Sequence, residues 1–381
     1  MKNHICYLDN AATSFPKPPS VALEMKRCID NYCGNAGRGS HKLSLYAANK
    51  IYECREQICE LINAPAPENI VFVPSCTYGL NLIIKGSLKQ GDHVLISDME
   101  HNSVFRPISR LANEGKITFD TFSALSNPTK NVEDILNDIK NKIRKNTKLL
   151  ICTHQSNICS YALPVDKIGA LCKKFNILFA LDVAQSIGHY NIDIQKSNIS
   201  YLSAPGHKGL LGPQGSAFVV FNSTTLLEPL IEGGNGIYSL ESKMPDFLPE
   251  RHEVGTLPLP SIVGLCEGIK SVKSHGIDTI FSHERELFVY LRNNLLNIGK
   301  VNVYCPNFYG NTLSFDLQAM PPERVCALLD AENICVRAGF HCSALGHTSL
   351  GTKSYGTVRV SFGIYNTKND IDKLISVINK F

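Results

Sequence analysis

A lysine flanked by glycines is the residue of this chain best suited to covalent chemistry. Lys208 lies in the segment Gly206-His207-Lys208-Gly209, shortly after an apolar run that includes Tyr201 and Leu202. Burial removes hydration from an ammonium group, which disfavours its charged form and lowers its pKa. A neutral amine attacks carbonyl carbons, so this segment predicts a lysine that forms an imine with an aldehyde cofactor.

A candidate thiol nucleophile, Cys342, lies far along the chain in the segment Arg337-Ala338-Gly339-Phe340-His341-Cys342. Thiols react as thiolates, which positive charge stabilises, and Arg337 and His341 are close in sequence. Two alternatives stay open. Cys342 could be a structural thiol, or it could bind a metal with His341 and His347, although that group lacks an obvious fourth ligand. The pattern favours the nucleophile, and we predict no metal site.

Short apolar runs alternate with helical periods from about residue 68 onward. The runs read as strands and are Ile70–Val73, His93–Ile96, Leu149–Cys152 and Ile177–Leu181. The intervening helical periods are Thr77–Leu88, Ser103–Glu114, Val132–Arg144 and Val165–Phe175. Near-continuous apolar strands separated by helices indicate an α/β fold with a mostly parallel sheet covered on both faces.

The pattern changes after about residue 250, where several prolines punctuate a loop-rich stretch. Long helical periods (262–275 and 279–299) and short strands such as Thr312–Phe315 follow, which indicates a smaller α+β domain. The length of 381 residues exceeds the usual size of a single hydrophobic core, which predicts two domains. We predict a large domain at 15–255 and a small domain, carrying the Cys342 loop, from 1–14 and 256–381.

Polar residues follow each predicted strand. In open parallel sheets, ligands bind beyond the carboxyl ends of the strands. The groups found there are Cys76-Thr77, Glu100-His101, Ser156-Asn157, Asp182 with Gln185, and Lys208. Each has a structural alternative: Asp182 could cap a helix, His101 and Lys208 could lie in exposed loops, and Asn157 could shape a turn.

Together these groups fit pyridoxal 5′-phosphate (PLP). A lysine imine holds the aldehyde, and a carboxylate beside the pyridine nitrogen keeps it protonated, so the ring accepts electrons. A helix N-terminus after Ser75 suits the phosphate. The His101 imidazole could stack on the ring and move protons.

Short motifs occur in order along nearly the whole chain. They are Tyr7-Leu8-Asp9-Asn10-Ala11-Ala12-Thr13, Asn35-Ala36-Gly37-Arg38-Gly39-Ser40-His41, Asp182-Val183-Ala184-Gln185-Ser186, Gly206-His207-Lys208, the segment from Arg337 to Cys342, Gly356-Thr357-Val358-Arg359-Val360-Ser361 and Tyr365-Asn366-Thr367. In these motifs the chain resembles the class V aminotransferase superfamily, and within it the cysteine desulfurase and selenocysteine lyase branch.

The resemblance implies PLP fold type I, with a seven-stranded type of sheet, and a role for each matching cofactor residue. Lys208 would carry the Schiff base and shuttle protons. Asp182 would pair with the pyridine nitrogen, Gln185 with the phenolic oxygen, and His101 would stack on the ring. Thr77 and His207 would bind phosphate, with Cys76 beside them and Thr256 reaching across from the partner of a homodimer.

The resemblance also implies how substrate binds. Arg359 would hold the carboxylate of L-cysteine or a close analogue, Asn157 would contact cofactor or substrate, and Arg38 and Arg337 would line the entrance. Cys342 would take the sulfur, leaving L-alanine and a persulfide. The loop around Cys342 is compact, as in relatives that depend on a separate protein as sulfur acceptor.

Two positions depart from the family pattern. Pro205 stands where relatives usually carry a serine or threonine that contacts phosphate, so we expect PLP binding to survive but to be weakened. The usual His-His pair is His101-Asn102, which keeps the stacking position.

Composition excludes several other classes of protein. The net charge of +4 is modest and scattered, which disfavours nucleic-acid binding. No apolar stretch is long enough for a membrane helix or a signal peptide, so we expect no membrane partner and a cytoplasmic location. The 14 cysteines include no C-x-x-C pair and are expected to be mostly buried, reduced thiols.

Three other functions stay open. Selenocysteine lyase differs from a desulfurase only in the atom removed, and a class V transaminase or epimerase would not use Cys342. A non-catalytic metal-binding or scaffold protein could retain the same fold without binding PLP.

Overall fold

The architecture comes from a computed structural model, which describes residues 5–37, 39–126, 131–305 and 307–380. In chain order the strands are β1 (Cys6–Tyr7), β2 (Ile70–Val73), β3 (Asp92–Ser97), β4 (Ile117–Phe122), β5 (Thr147–Thr153), β6 (Leu178–Asp182), β7 (Tyr201–Pro205), β8 (Ala217–Phe221), β9 (Val301–Tyr304), β10 (Thr312–Leu317), β11 (Ile334–Cys335), β12 (Arg337–Gly339) and β13 (Thr357–Ser361).

The helices are α1 (Pro19–Asn31), α2 (Lys42–Ile62), α3 (Cys76–Ser87), α4 (Asn102–Asn113), α5 (Val132–Lys142), α6 (Val165–Lys174), α7 (Leu259–His275), α8 (Ile277–Leu296), α9 (Pro322–Ala331), α10 (Ala344–Ser349) and α11 (Lys368–Ile378). Among the helices in the described ranges, none has the length and apolar character needed to cross a bilayer.

Seven strands form the central sheet in the order β2-β8-β7-β6-β5-β3-β4. Strand β8 runs antiparallel to both neighbours, and the other adjacent pairs are parallel. The predicted α/β fold with a mostly parallel seven-stranded sheet is therefore confirmed. The prediction did not identify β4, β8, α1 or α2 as separate elements.

Alternation along the strands explains why both faces of the sheet are covered. In β3, Leu95 packs into one core cluster, while Val94 and Ile96 pack into the cluster on the other face. Gly169 of α6 shows how closely the covering elements approach, because a Cβ atom there would lie 1.7 Å from the carbonyl oxygen of Ser197. Both faces of the sheet are thus closed to solvent, which leaves its strand ends as the accessible edge.

A second, smaller core lies around the antiparallel sheet β12-β13-β10-β9. Strand β1 pairs with β11, and Cys6 and Leu8 pack into this core, which supports assigning the N-terminal segment to the smaller domain. Helix α7, however, packs with the large core through residues such as Leu265 and Ile269. We therefore propose that the domain boundary lies between α7 and α8, near Gly276, rather than at 255/256.

Candidate active site

A cavity lies at the edge where β3, β5, β6 and β7 end, because parallel strands bring their carboxyl ends together. Eight of the predicted residues line it: Cys76, Thr77, His101, Asn157, Asp182, Gln185, His207 and Lys208. Pro205 and Ser103 also contribute to the lining. The sequence-based positions thus converge on one site, although they lie as much as 132 residues apart in the chain.

Helix α3 begins at the cavity. Its N-cap Ser75 accepts a hydrogen bond from the amide of Tyr78 at 3.1 Å, which leaves the first-turn amides beside Cys76 and Thr77 for a ligand. Gly79 lets the helix sit close to β7, since a Cβ atom there would lie 2.4 Å from Ser203 Oγ. This geometry suits an anion such as phosphate.

Asp182 and Lys208 are the charged pair of the cavity. Asp182 is buried, and its Oδ1 accepts hydrogen bonds from the Ala184 amide at 2.8 Å and the Cys76 thiol at 3.7 Å. Burial raises the pKa of Asp182, and the Lys208 ammonium opposes that rise. Burial likewise lowers the pKa of Lys208, with Asp182 opposing. Lys208 is therefore an amine whose pKa is lowered by burial, as the sequence predicted.

The N-terminal segment holds the loop that carries Lys208. Ser14 donates from its amide to the His207 carbonyl at 3.0 Å and from its hydroxyl to the Lys208 carbonyl at 2.9 Å. Lys17 Nζ donates to the same His207 carbonyl at 2.7 Å, and burial lowers the pKa of Lys17 to about 8. The backbone on which Lys208 stands is consequently fixed by a segment nearly 200 residues earlier.

His101 forms the N-cap of α4. Its Nδ1 accepts a hydrogen bond from the Ser103 amide at 3.0 Å and lies 2.7 Å from the Ser103 hydroxyl. Burial, followed by the positive charge of Lys208, lowers the pKa of His101 to about 4. The ring is therefore neutral at pH 7.

Glu100, the residue before His101, is a buried carboxyl group. Its Oε1 accepts from the Thr153 amide at 2.9 Å and from the Ser97 hydroxyl, while its Oε2 has no partner among the described residues. Burial raises the pKa of Glu100 to about 8. Glu100 thus links the ends of β3 and β5 by hydrogen bonds, and it does so as an uncharged acid.

The loop with Cys342 is hydrogen bonded to Asn102 and Asn157, near the cavity. His341 and Cys342 both have left-handed φ angles, 47° and 56°, which turn the chain sharply. The Asn102 amide donates to the Cys342 carbonyl at 2.7 Å, and Asn157 Nδ2 donates to the His341 carbonyl at 2.6 Å. The Cys342 side chain itself is exposed beside this anchored backbone.

His341 does not supply the positive charge expected near the thiol. It is buried with Nε2 at 3.1 Å from Thr357 Oγ1, and burial lowers its pKa to about 2, so it is neutral. That part of the sequence argument is wrong, because burial is set by distant residues. The cations that interact with this region are Arg337 and Arg359, and Arg359 interacts electrostatically with Cys342. No cluster of three potential metal ligands occurs within the described ranges.

Arg359 lies next to the cavity rather than in its wall. It is buried, with Nη1 donating to the Asn157 carbonyl at 3.0 Å and Nη2 donating to Asp9 Oδ1 at 2.8 Å. Its Nε has no partner among the described residues. Arg337 pairs opposite Arg359 in the sheet and is exposed, whereas Arg38 lies outside the described residues.

Thr256 does not reach this cavity within one chain. It lines a different cavity with Phe72 and Tyr78, and its hydroxyl lies 3.4 Å from Asn35 Nδ2. A contribution to the cavity around Lys208 would therefore have to come from a second copy of the chain.

The sequence analysis missed Asp9, Ser14, Lys17 and Ser103 as partners of functional residues. Ser103 follows His101 by two residues at a helix start, a spacing typical of capping interactions. Asp9 and Ser14 lie in or directly after an N-terminal motif that resembles the family, but no local signal joins them to Arg359 or Lys208.

Comparison with known proteins agrees with this geometry. The class V aminotransferase family model matches residues 6–374, so the chain belongs to that family. The predicted family resemblance is thereby confirmed. The family is PLP-dependent.

Individual relatives carry a more specific name. "Probable cysteine desulfurase" proteins of Methanothermobacter thermautotrophicus and Pyrococcus abyssi are each 32% identical to the chain, covering 98% and 100% of it and 94% and 95% of their own lengths. The apo cysteine desulfurase of Thermococcus onnurineus superposes with a TM-score of 0.89 at 29% identity, covering 99% of this chain and 94% of that one. The fold is therefore that of the PLP fold type I enzymes.

Proposed function

We propose that the protein is a PLP-dependent cysteine desulfurase that converts L-cysteine to L-alanine and leaves the sulfur on Cys342. One observation carries the proposal: Asn157, in the cavity with Lys208 and Asp182, is hydrogen bonded to the loop that presents an exposed Cys342. The similarity to proteins named cysteine desulfurase supports the same activity.

The residues present fit PLP. The buried Asp182 carboxylate takes its two hydrogen bonds on Oδ1, which leaves Oδ2 for a protonated pyridine nitrogen. His207 has a buried Nδ1 without a partner among the described residues, near the N-terminus of α3. Lys208 offers an amine whose pKa is lowered by burial. When bound, PLP supplies an electron sink that stabilises negative charge on the substrate carbon.

The chain's own residues then divide the remaining tasks. Lys208 would hold the cofactor, and its Nζ would move protons during the reaction. Asp182 would keep the proton on the pyridine nitrogen, and Gln185 would bind the phenolic oxygen. Thr77 and His207 would hold phosphate at the α3 N-terminus.

Arg359 binds the substrate carboxylate. Asp9 and Asn157 occupy one hydrogen on each terminal nitrogen of the guanidinium, so three of its five N–H groups remain for a ligand. Asn157 positions this group through its carbonyl and the Cys342 loop through its amide.

Sulfur transfer balances without any other reactant. The Cys342 thiolate forms a sulfur–sulfur bond with the substrate sulfur, and the carbon–sulfur bond of cysteine breaks. The carbon keeps that electron pair and takes up a proton, which gives L-alanine and a persulfide on Cys342.

The site needs a homodimer and an acceptor in this proposal. Thr256 of one copy would reach the phosphate of the other, which agrees with its absence from the lining of the Lys208 cavity in its own chain. A separate protein would accept the sulfur from Cys342, and the reaction would take place in the cytoplasm.

Turnover with L-cysteine, L-selenocysteine and cysteine sulfinate, with alanine as the measured product, tests the proposal. We expect yellow protein that borohydride bleaches with the label on Lys208, and alanine formation from L-cysteine that Cys342→Ser abolishes while the colour remains. Cys33→Ser, at an exposed cysteine outside the site, is the matched control.

Three results would point elsewhere. Alanine formation unaffected by Cys342→Ser would exclude the persulfide. Activity with L-selenocysteine alone would identify a selenocysteine lyase. Colourless protein that does not respond to added PLP would contradict the cofactor.

A further inference from the structure

We propose that His101 acts as a neutral hydrogen-bond donor with its only ring proton on Nε2, and that Ser103 is the positioning residue that fixes this tautomer. In this arrangement His101 is not a general base. The tautomer follows from the structure alone, whereas its consequence for the reaction rests on the proposed desulfurase function.

The direction of one hydrogen bond decides the tautomer. The Ser103 backbone N–H can only donate, and its acceptor is His101 Nδ1 at 3.0 Å. Nδ1 therefore carries no proton, and a neutral ring must carry its proton on Nε2. The buried Ser103 hydroxyl, 2.7 Å from the same nitrogen, is free to donate a second hydrogen bond to it.

The surroundings keep the ring neutral. His101 stands at the N-terminus of α4, the positive end of the helix dipole, which disfavours a second proton on the ring. The charged side chains that act on it most strongly are all cations: Lys208 beyond β7, Arg106 on α4, Arg337 on β12 and Arg359 on β13. Burial is the largest cause that lowers the pKa of His101 to about 4, and these cations add to it.

A neutral ring of this kind has no free lone pair. Nδ1 is engaged with Ser103, and Nε2 already holds a proton, so His101 cannot accept a proton from substrate without breaking its cap of α4. The Nε2–H group can still stabilise negative charge in the cavity by hydrogen bonding. Proton abstraction then falls to Lys208, the amine in the same cavity whose pKa is lowered.

Nitrogen-15 NMR of histidine-labelled holoenzyme tests the tautomer directly and needs no turnover. His101→Gln assigns the His101 signals by their disappearance. We expect an unprotonated Nδ1 and a protonated Nε2 from pH 8 down to about pH 5. A protonated Nδ1, or a doubly protonated ring at pH 7, would overturn the proposal.

Variants at Ser103 test the positioning. Ser103→Ala keeps the backbone amide donor and should keep the Nε2–H tautomer. Ser103→Pro removes that donor and should give a mixture of the two tautomers. Proline is tolerated in the first turn of a helix, where amides lack intrahelical partners. Ser109→Ala, further along α4, is the control. An unchanged tautomer in Ser103→Pro would contradict the role of Ser103, and the wild-type spectrum decides the tautomer if that variant does not fold.

The activities of two His101 variants distinguish a hydrogen-bond donor from a general base at this position. Glutamine can donate from its amide nitrogen but cannot act as a base, so His101→Gln should be at least threefold more active than His101→Ala in kcat for alanine formation. Removing a hydrogen bond of about 1.4 kcal/mol predicts about a tenfold loss in His101→Ala. Equal losses of ~10²-fold or more in both variants would instead identify a general base. If wild-type protein forms no alanine, the proposed function fails while the NMR result stands.

Discussion

The side-chain amide of Asn157 donates to the backbone carbonyl of His341 across 2.6 Å, and this bond joins two distant segments of the chain. Asn157 follows β5 of the central sheet, whereas His341 lies in the loop after β12 of the smaller sheet. The same residue accepts a hydrogen bond from Arg359 through its own carbonyl. Asn157 therefore couples the position of the proposed nucleophile to that of the proposed carboxylate-binding group.

Replacing Asn157 with alanine should slow sulfur transfer more than cofactor binding. The buried His341 carbonyl would lose its donor, at a cost of about 1–3 kcal/mol, and the Cys342 loop would lose one of its anchors. We expect persulfide formation in a single turnover to slow by roughly 10- to 100-fold. Asn113→Ala, at the exposed end of α4, is the control. A normal rate of persulfide formation would contradict this coupling.

Asp9→Asn tests how Arg359 is held. The variant replaces the carboxylate that pairs with Arg359 Nη2 at 2.8 Å by a neutral amide, which weakens one of the two hydrogen bonds that orient the guanidinium. We expect KM for L-cysteine to rise about tenfold, as for the loss of a charge-assisted hydrogen bond, with a smaller change in kcat. Asp30→Asn on α1 should change neither constant. A lower KM would mean that Asp9 competes with substrate instead of orienting its binding group.

Glu100→Gln should stabilise the protein at alkaline pH. The carboxyl ionises at about pH 4.5 in the unfolded chain but only at about pH 8 in the folded protein. The contribution of Glu100 to the free energy of unfolding is therefore fully present below pH 4.5. It is lost as pH rises to 8, by about 1.4 kcal/mol per pH unit. In denaturant unfolding, the free energy of unfolding of Glu100→Gln should increase relative to that of wild type between pH 5 and 8. Glu332→Gln, at an exposed site, should show no such trend. Parallel curves would show that Glu100 is ionised in the folded state.

Pro205→Ser tests the departure from the family pattern at the phosphate site. Pro205 lines the cavity as the last residue of β7 and offers neither a hydroxyl nor an amide hydrogen. A serine hydroxyl donating to phosphate should tighten PLP binding about tenfold, the effect of one hydrogen bond to a charged group. Equilibrium binding of PLP measures the change, with Pro205→Ala as the matched control. Equal affinity in wild type and Pro205→Ser would show that other groups already satisfy the phosphate.

The sequence predicted the residues at the strand ends well because one physical rule places them. Apolar runs such as Leu149–Cys152 mark buried parallel strands, and parallel strands end at a common edge, so Asp182, Asn157 and His101 had to converge. The partners of these residues follow no comparable rule. Asp9 meets Arg359 across 350 positions, and Lys17 meets His207 across 190.

The prediction that His341 is positively charged was wrong for a related reason. Its sequence neighbours suggested a cation beside Cys342, but the packing of β13 and the main-chain turn bury the ring. Burial results from contacts between distant segments, which neither spacing nor composition records. Short-range features such as the His101 cap can in principle be predicted from sequence, since donor and acceptor are only two positions apart.

The hydrogen bonds on either side of Cys342 have a kinetic consequence. The His341 and Cys342 carbonyls are both held by hydrogen bonds from Asn157 and Asn102. The sulfur that we propose is held on Cys342 would therefore not be carried outward by a swinging loop. Delivery then becomes a bimolecular event, and its rate depends on how often an acceptor arrives and how well it fits the exposed thiol. Steady-state turnover of the isolated enzyme should accordingly increase with the concentration of an added thiol, long after L-cysteine itself has become saturating.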